Sequence, residues 1–199
     1  MRIAIAGSQG TGKSTLARLL AEKLGLPLIT ERARLAAREM GLGDLSVLFH
    51  DREQAIRFQE RILALQHRAE TSHEQGFVSD RSMYDVLAYC HFYGIQDSDW
   101  YRVATGWVAK RAAYHAIIYV PVQFAPADDG FRFTCPGCQR YVDELLQRVL
   151  REEAAGERII TLTEHDVASR LAQAMEALGK VACAEALEIA QQTPQASRP

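Results

Sequence analysis

The segment AGSQGTGKSTLARLL, residues 6–20, decides the fold class of this chain. It follows the apolar run Ile3-Ala4-Ile5 and places a glycine, four residues and then Gly-Lys-Ser between a strand-like and a helix-like stretch. Glycines let the backbone curl until its N–H groups face phosphate oxygens, and the N-terminus of the next helix adds partial positive charge. Pattern and context together predict a phosphate-binding loop rather than a chance glycine-rich turn.

The loop supplies the predicted nucleotide-binding residues. We expect Lys13 to bridge the β- and γ-phosphates, Ser14 to offer its hydroxyl to Mg²⁺, and Thr15 to assist from the first helical turn. The complete predicted set is Gly7, Gln9, Gly10, Thr11, Gly12, Lys13, Ser14 and Thr15.

Strand-like and helix-like segments alternate along the rest of the chain. Strands are predicted at about 2–6, 26–30, 76–80, 115–122 and 157–162, with boundaries uncertain by about two to four residues. This alternation is typical of a parallel sheet covered by helices on both faces. The predicted fold class is therefore α/β, a three-layer P-loop NTPase fold with a five-stranded parallel sheet and a lid.

One domain accounts for residues 1–190, and the segment 191–199, rich in Gln, Pro and Ser, is predicted to be a disordered tail. Residues 124–136 carry little apolar periodicity, so we predict a surface excursion there and a helix only from Tyr141 to Leu150. In an enzyme such an excursion is a candidate lid, placed at about 124–140.

Composition restricts the choice of partners. The chain has 199 residues, 48% of them hydrophobic, and a net charge of -2, which indicates no sequence-wide attraction to nucleic acid or to an anionic membrane. No leader-like segment or membrane-length apolar run is visible, so a cytoplasmic location is expected. The predicted partner is a small-molecule acceptor, with no nucleic acid and no membrane, and with a homodimer as a candidate assembly.

Nucleotide binding alone does not separate switches, motors and kinases. A GTP-dependent switch normally reads guanine with Asn-Lys-x-Asp, and this sequence has neither asparagine nor Asp-x-x-Gly. A motor ATPase usually ends its third-strand motif in paired acids, whereas here Asp80 is followed by Arg81. A guanidinium cannot act as the base for hydrolysis, but it binds phosphate-like oxygens bidentately.

Three motifs together resemble the P-loop kinases of the thymidylate kinase and deoxynucleoside kinase group. The resemblance is strongest to the small branch that includes ribosylnicotinamide kinase domains and AAA-like single-domain kinases. The motifs are GSQGTGKST at 7–15, LITERAR at 28–34 and VSDRSMYDVLAY at 78–89. The likeness implies ATP and Mg²⁺ as cofactors.

The resemblance also implies a division of roles among charged residues. Asp80 would organise Mg²⁺ and its waters, Arg81 would contact the acceptor or the transferred phosphate, and Glu31 would accept the proton of the acceptor hydroxyl, with Arg34 as its companion. The carboxyl ends of parallel strands converge beside the loop, which independently favours this placement of Glu31 and Asp80. Glu31 could alternatively serve only as an acid in the first turn of an exposed helix.

The resemblance places further residues around the acceptor and the lid. Lid arginines are implied at Arg132 and Arg140, although both could be ordinary solvated side chains. Segment 161–170 resembles the loop over which adenine lies in these kinases, and it ends in Arg170. The candidates for lining an acceptor pocket are Gln59, Tyr84, Asp85 and Tyr89, each of which could instead be a packing or surface residue.

The segment FTCPGCQ contains Cys135 and Cys138, a spacing that forms half of a tetrahedral zinc site. Because no second cysteine pair exists, zinc is disfavoured as a cofactor. A redox pair is also disfavoured, because that motif usually opens a helix that follows a strand in a thioredoxin-like unit.

The sequence thus predicts an Mg-ATP-dependent phosphotransferase, a kinase acting on a small nucleoside- or nucleotide-like acceptor. Glu31 slightly favours an alcohol acceptor, but Arg81 and the other arginines could equally hold a monophosphate. The alternative is a nucleotide-dependent regulatory P-loop ATPase that acts through a protein partner.

Overall fold

Five parallel strands form the central sheet in the order β2-β3-β1-β4-β5. Their bounds are Arg2–Ala6 (β1), Leu28–Ile29 (β2), Phe77–Asp80 (β3), Ala116–Tyr119 (β4) and Ile159–Thr161 (β5). The structure, a computed structural model, describes residues 1–126, 130–131 and 133–192. Every predicted strand is present, so the predicted three-layer α/β fold is confirmed.

Helices cover both faces of this sheet. Their bounds are Lys13–Leu24 (α1), Ala33–Glu39 (α2), Arg52–Thr71 (α3), Met83–Phe92 (α4), Asp99–Arg111 (α5), Pro136–Glu153 (α6) and Val167–Gln192 (α7). Side chains of α1 and α7 share one core with the sheet, while those of α2 to α6 share the other. A short 3-10 helix, Leu45–Phe49, lies between α2 and α3. None of the helices in the described ranges is long and apolar enough to cross a membrane.

The central strand β1 shows how the sequence pattern builds two cores. Ile3 and Ile5 pack towards α1, whereas Ala4 and Ala6 pack towards the opposite helices, as the alternation of side chains along a strand requires. In the parallel register, Ile5 pairs with Asp80 of β3. The end of β3 therefore lies directly beside the loop that follows β1.

Helix α6 begins five residues earlier than the sequence suggested. The helix predicted from Tyr141 starts at Pro136, so the CPGC segment is the helix start and not part of a surface excursion. Cys135 occupies the N-cap position and its sulfur accepts the Cys138 backbone N–H, while proline suits the first helical position because its missing N–H has no helical partner there. The predicted lid segment is thus helical from residue 136 onwards.

The C-terminal end of the described chain also differs from the prediction. Helix α7 runs to Gln192, so positions 191 and 192 of the predicted tail are helical. Positions 193–199 of that tail lie outside the described residues, as do 127–129 of the predicted lid.

Candidate active site

The Gly7–Ser14 loop curls tightly between β1 and α1. Gly7 has φ +154°, and a Cβ there would lie 2.5 Å from the Val120 carbonyl oxygen of the neighbouring strand end. Gly10 has φ +71°, and a Cβ there would lie 2.8 Å from Pro126. Glycine is therefore required at both positions, by backbone conformation and by space.

The lysine of the loop is held inside it. Lys13 is buried, and its Nζ donates hydrogen bonds to the Ser8 carbonyl and, at 3.1 Å, to Thr11 Oγ1. Arg170 of α7 contacts the same loop, because its guanidinium donates a hydrogen bond to the Thr11 carbonyl at 2.8 Å. The sequence pointed to Arg170 through the adenine loop, but the observed contact is with the phosphate-binding loop.

A polar cleft opens beside the loop. The residues that line it are Ser14, Thr30, Glu31, Arg32, Arg34, Leu35, Arg38 and Asp80. Asp80 is 5% exposed at the end of β3, and its Oδ1 is buried without a hydrogen-bond partner in the described residues. The cleft therefore brings together the hydroxyl and the carboxylate that the sequence proposed for a metal.

These donors suit magnesium. A hydroxyl and an unsatisfied carboxylate oxygen are the hard ligands that Mg²⁺ prefers, and Mg²⁺ normally keeps several waters and binds substrate phosphates. Within the described residues no group of three or more His, Cys, Asp or Glu side chains could hold a metal by itself. The phosphates and water would have to complete such a site. Thr15, the neighbour of Ser14, is exposed in the first turn of α1.

Arg81 connects the loop to two carboxylates. It is 8% exposed, and its NH1 donates to the Gly7 carbonyl at 2.6 Å and to Asp85 Oδ1 at 3.0 Å. Its Nε donates to Glu31 Oε1 at 3.3 Å. Burial alone would lower the pKa of Arg81, but Tyr89 and the carboxylates raise it well above the usual value. The guanidinium is therefore a fixed positive charge beside the loop.

The backbone of Arg81 is strained. Its φ is +110°, and no other non-glycine residue in the described ranges has a positive φ. Such conformations cost about 1–3 kcal/mol and persist only where the surroundings enforce them. Here the Arg81 N–H donates to the Ile5 carbonyl at 3.1 Å, and the carbonyl faces Gln66 Nε2 at 3.4 Å.

Glu31 follows β2 and lies at the junction of two cavities. Its carboxylate pairs with Arg81 and, at 3.8 Å, with Arg34. It lines the polar cleft, and it also lines a second, largely apolar pocket between α3 and α4. The structure thus brings the two predicted residues Glu31 and Arg81 into contact, which their separation of fifty positions concealed in the sequence.

The apolar pocket is walled by aliphatic and aromatic side chains from the 3-10 helix, from α3, from α4 and its C-cap, and from the segment before α6. These are Leu45, Phe58, Ile62, Val86, Tyr93, Phe131 and Phe133. Gln59 lies in its wall at 1% exposure, and Gln59 Oε1 is buried without a hydrogen-bond partner in the described part of the chain. Tyr89 also lines the pocket and donates to Gln9 Oε1 at 3.1 Å. Tyr84 is not among the lining residues, and its hydroxyl donates to Glu157 at 3.4 Å.

Asp85 lines the same pocket and also builds the start of α4. Its Oδ2 accepts from the backbone N–H of Ser82 at 2.9 Å, and the Ser82 hydroxyl oxygen accepts from the backbone N–H of Asp85 at 3.2 Å, which together form a capping box. The Ser82 hydroxyl also donates to Asp85 Oδ2 at 2.7 Å. Its Oδ1 accepts from the Gly7 N–H at 3.4 Å. The Ser-x-x-Asp spacing at 82–85 is a readable capping signal that the sequence interpretation overlooked.

Of the two predicted lid arginines, the structure describes one. Arg132 lies outside the described residues, and Arg140 is exposed on the first turns of α6. The neighbour of Arg140 was missed: buried Gln139 donates its Nε2 to the Gln9 carbonyl at 2.8 Å. With α6 predicted to begin at Tyr141, no sequence signal could point Gln139 towards the loop.

Solved structures with a similar fold include a deoxyadenosine kinase and the NadR protein. The structure of deoxyadenosine kinase from M. mycoides with bound dATP superposes with a TM-score of 0.67 at 18% identity, covering 90% of this chain and 99% of that one. The NadR protein in complex with NR gives a TM-score of 0.72 at 21% identity, covering 90% of this chain and 50% of that one. NadR in complex with NAD and AMP-PNP gives 0.68 at 19% identity, with coverages of 90% and 48%.

At such identities the likeness concerns the fold. No curated protein matches the chain significantly. The model of the AAA domain family matches residues 2–187, nearly the whole chain. The kinase-like P-loop fold that the three motifs indicated is thereby confirmed, and the chain belongs to the AAA domain family.

Proposed function

We propose that this protein is an Mg-ATP-dependent phosphotransferase that acts on a small nucleoside- or nucleotide-like acceptor. The observation that carries the proposal is the position of Glu31, which lines both the polar cleft with Ser14 and Asp80 and the apolar pocket. A carboxylate at that junction lies between the place for a nucleotide's phosphates and the place for an acceptor. A protein that only hydrolyses ATP has no need of the second cavity.

The charged residues suit transfer to an alcohol. In the proposed reaction the acceptor oxygen forms a bond to the γ-phosphorus, the bond from that phosphorus to the β-bridging oxygen breaks, and ADP leaves. Glu31 takes the hydroxyl proton, while Lys13 and Arg81 stabilise negative charge on the transferred group. Mg²⁺, held through Ser14 and Asp80, would neutralise phosphate charge. Arg81 is already positioned by Gly7, Asp85 and Glu31, so little reorganisation is required.

The apolar pocket supports an acceptor with a flat heterocycle. Phe58, Phe133 and Tyr93 offer faces for a ring, and buried Gln59 Oε1 is a hydrogen-bond acceptor that a ring N–H or amide N–H could satisfy. The similar structures were solved with dATP and with NR, which agrees with this class of molecule. A nucleoside-like compound is therefore the proposed acceptor.

The test is ADP release from ATP and Mg²⁺ with a panel of nucleosides, nucleoside monophosphates and ribosylnicotinamide. We expect at least one compound to stimulate release and to become phosphorylated itself, as shown by mass spectrometry. Lys13→Ala should abolish both nucleotide binding and transfer. If no acceptor stimulates release but a protein partner does, the regulatory ATPase is the correct function and the kinase proposal is wrong.

A further inference from the structure

The start of α6 brings two cysteines together in an ordered turn. Cys135 is exposed at the N-cap position, and its Sγ accepts the backbone N–H of Cys138 at 3.3 Å. Cys138 is half-buried in the first helical turn, directly after Pro136 and Gly137 in the chain. The phosphotransferase mechanism uses neither thiol.

We propose that Cys135 and Cys138 form a redox-active dithiol, in which Cys135 attacks small-molecule disulfides and Cys138 closes the intramolecular disulfide. The sequence disfavoured this function because the motif was not expected to open a helix, yet it does open α6. The proposal does not depend on the phosphotransferase activity, since it concerns only the thiols.

The surroundings distinguish the two sulfurs. Cys135 accepts hydrogen bonds from the Cys138 thiol and backbone at the N-terminus of a helix, and these lower its pKa, as does nearby Arg140. Cys138, which donates to that sulfur and is partly buried, has a raised pKa. An exposed thiol with a lowered pKa is the better nucleophile at neutral pH, so Cys135 is the attacking residue.

The other cysteines lack this environment. Cys90 is fully buried inside α4, where burial raises its pKa, and no reagent can approach it. Cys183 is exposed on α7, with no neighbouring cysteine in sequence. Cys183 therefore serves as an internal control for ordinary surface reactivity.

The proposed chemistry is a balanced exchange. The Cys135 thiolate attacks one sulfur of a small disulfide, forming a mixed disulfide and releasing one thiolate. The Cys138 thiolate then attacks Cys135 Sγ and releases the second thiolate, so two electrons and two protons pass from the cysteine pair to the small disulfide. The Cys135 sulfur already lies 3.3 Å from the backbone nitrogen of Cys138. A disulfide requires Cβ atoms ~4 Å apart, so closure needs only a small local adjustment.

The pair also lies between two contacts of the proposed active site. Gln139, directly after Cys138, donates to the Gln9 carbonyl at 2.8 Å. Phe133, two positions before Cys135, lines the apolar pocket and packs on Phe49 at 5.5 Å between ring centroids. A disulfide formed here would lie in the short segment that joins the two contacts.

The experiment incubates the full-length protein in graded mixtures of reduced and oxidised glutathione, followed by acid quenching, maleimide labelling and peptide mass analysis. We expect the peptide carrying both cysteines to lose two hydrogen masses and to become resistant to maleimide as the mixture becomes oxidising. Cys138→Ser should trap glutathione on Cys135, whereas Cys135→Ser should leave Cys138 at least about tenfold less reactive. Serine at position 135 is itself a good N-cap, so the helix should persist.

Three results would overturn the proposal. The first is maleimide labelling of both cysteines in every mixture. The second is a glutathione adduct on Cys183 that forms as readily as one on Cys135. The third is protection of the pair under reducing conditions that a chelator abolishes, because that result would identify a metal site.

Discussion

The carboxyl end of the sheet and the start of α6 differ in how their polar groups are held. At the sheet end, Arg81 is buried and bonded to Gly7, Asp85 and Glu31 at distances between 2.6 and 3.3 Å. At the start of α6, Cys135 and Arg140 are exposed, and Gln139 donates a hydrogen bond to the loop. The first region has its charges arranged before any ligand binds, whereas the second offers reactive groups to solvent. Substitutions in the two regions should therefore have effects of different size.

The largest effect is expected from Asp80→Asn. This change keeps the shape of the side chain but removes the charge of a carboxylate whose Oδ1 has no hydrogen-bond partner in the described residues. We expect kcat to fall by roughly a thousandfold while ATP affinity changes by less than about tenfold, because in the proposed mechanism the carboxylate would act through Mg²⁺ during transfer. Steady-state kinetics and calorimetric titration with ATP would measure the two quantities. Equal losses in kcat and in affinity would show that Asp80 only helps to bind the nucleotide.

The next effect is expected from Glu31→Gln. Loss of a general base typically costs between ~100-fold and ~10,000-fold, and we expect kcat for an alcohol acceptor to fall by about a hundredfold. Glu53→Gln is the matched control, because Glu53 is exposed on α3 and pairs with its helix neighbour Arg57.

A monophosphate acceptor allows a second test with Glu31→Gln. A phosphate oxygen is already ionised and needs no base, so turnover of a monophosphate should depend much less on Glu31. Comparable kcat values for Glu31→Gln and for the wild-type protein, with any alcohol acceptor, would remove Glu31 from the proposed mechanism.

A buried polar network behind Arg81 provides the third test. Glu70 Oε1 accepts from Tyr114 and from Gln66 Nε2, both at 2.7 Å, and Gln66 Nε2 also lies 2.7 Å from Ser79 Oγ. Burial raises the pKa of Glu70 to about 7. The hydrogen bonds from Gln66 and Tyr114 and the charge of Arg2 oppose this rise, whereas the charge of Glu157 adds to it. Glu70 is thus held more readily as the neutral acid in the folded protein than in the unfolded chain.

The sign of the pH effect follows from this shift. Between about pH 4.5 and pH 7 the unfolded chain has released the Glu70 proton while the folded protein retains it. The contribution of Glu70 to the free energy of unfolding is therefore greatest at low pH and falls as pH rises through this range, by about 3 kcal/mol. Glu70→Gln should remove that fall. Urea unfolding of both proteins at several pH values would measure the difference, and parallel pH curves would contradict the assignment.

The sequence could predict the first region better than the second, for physical reasons. The Gly7–Ser14 loop is a local pattern in which backbone conformation and spacing carry the information, and the strand order follows from alternation along the chain. Asp80 and Arg81 stand out because charged residues at the end of an apolar strand need a partner. The contact of Arg81 with Glu31 could only be expected from the convergence of strand ends, since it joins distant segments.

The start of α6 was predicted too late in the chain because this segment was interpreted from its composition alone. Proline, glycine and two cysteines looked like a turn, whereas proline at the first helical position and a sulfur at the N-cap are helix-start features. The error moved Gln139 out of the predicted helix and so concealed its bond to Gln9. The strain at Arg81, with φ +110°, has no sequence signal at all, because arginine gives no hint of a left-handed conformation.

The smallest expected effect links the two regions through Gln139. Loss of one hydrogen bond to the loop should weaken binding of a non-hydrolysable ATP analogue by roughly fivefold, the equivalent of about 1 kcal/mol. Gln139→Ala should show this loss, while Glu144→Gln, an exposed change on the same helix, should not. If the Cys135–Cys138 disulfide displaces Gln139, oxidation should weaken binding in the wild-type protein but add nothing in Gln139→Ala. A further loss on oxidation of that variant would mean that the disulfide reaches the loop by another route, such as the packing of Phe133 in the apolar pocket.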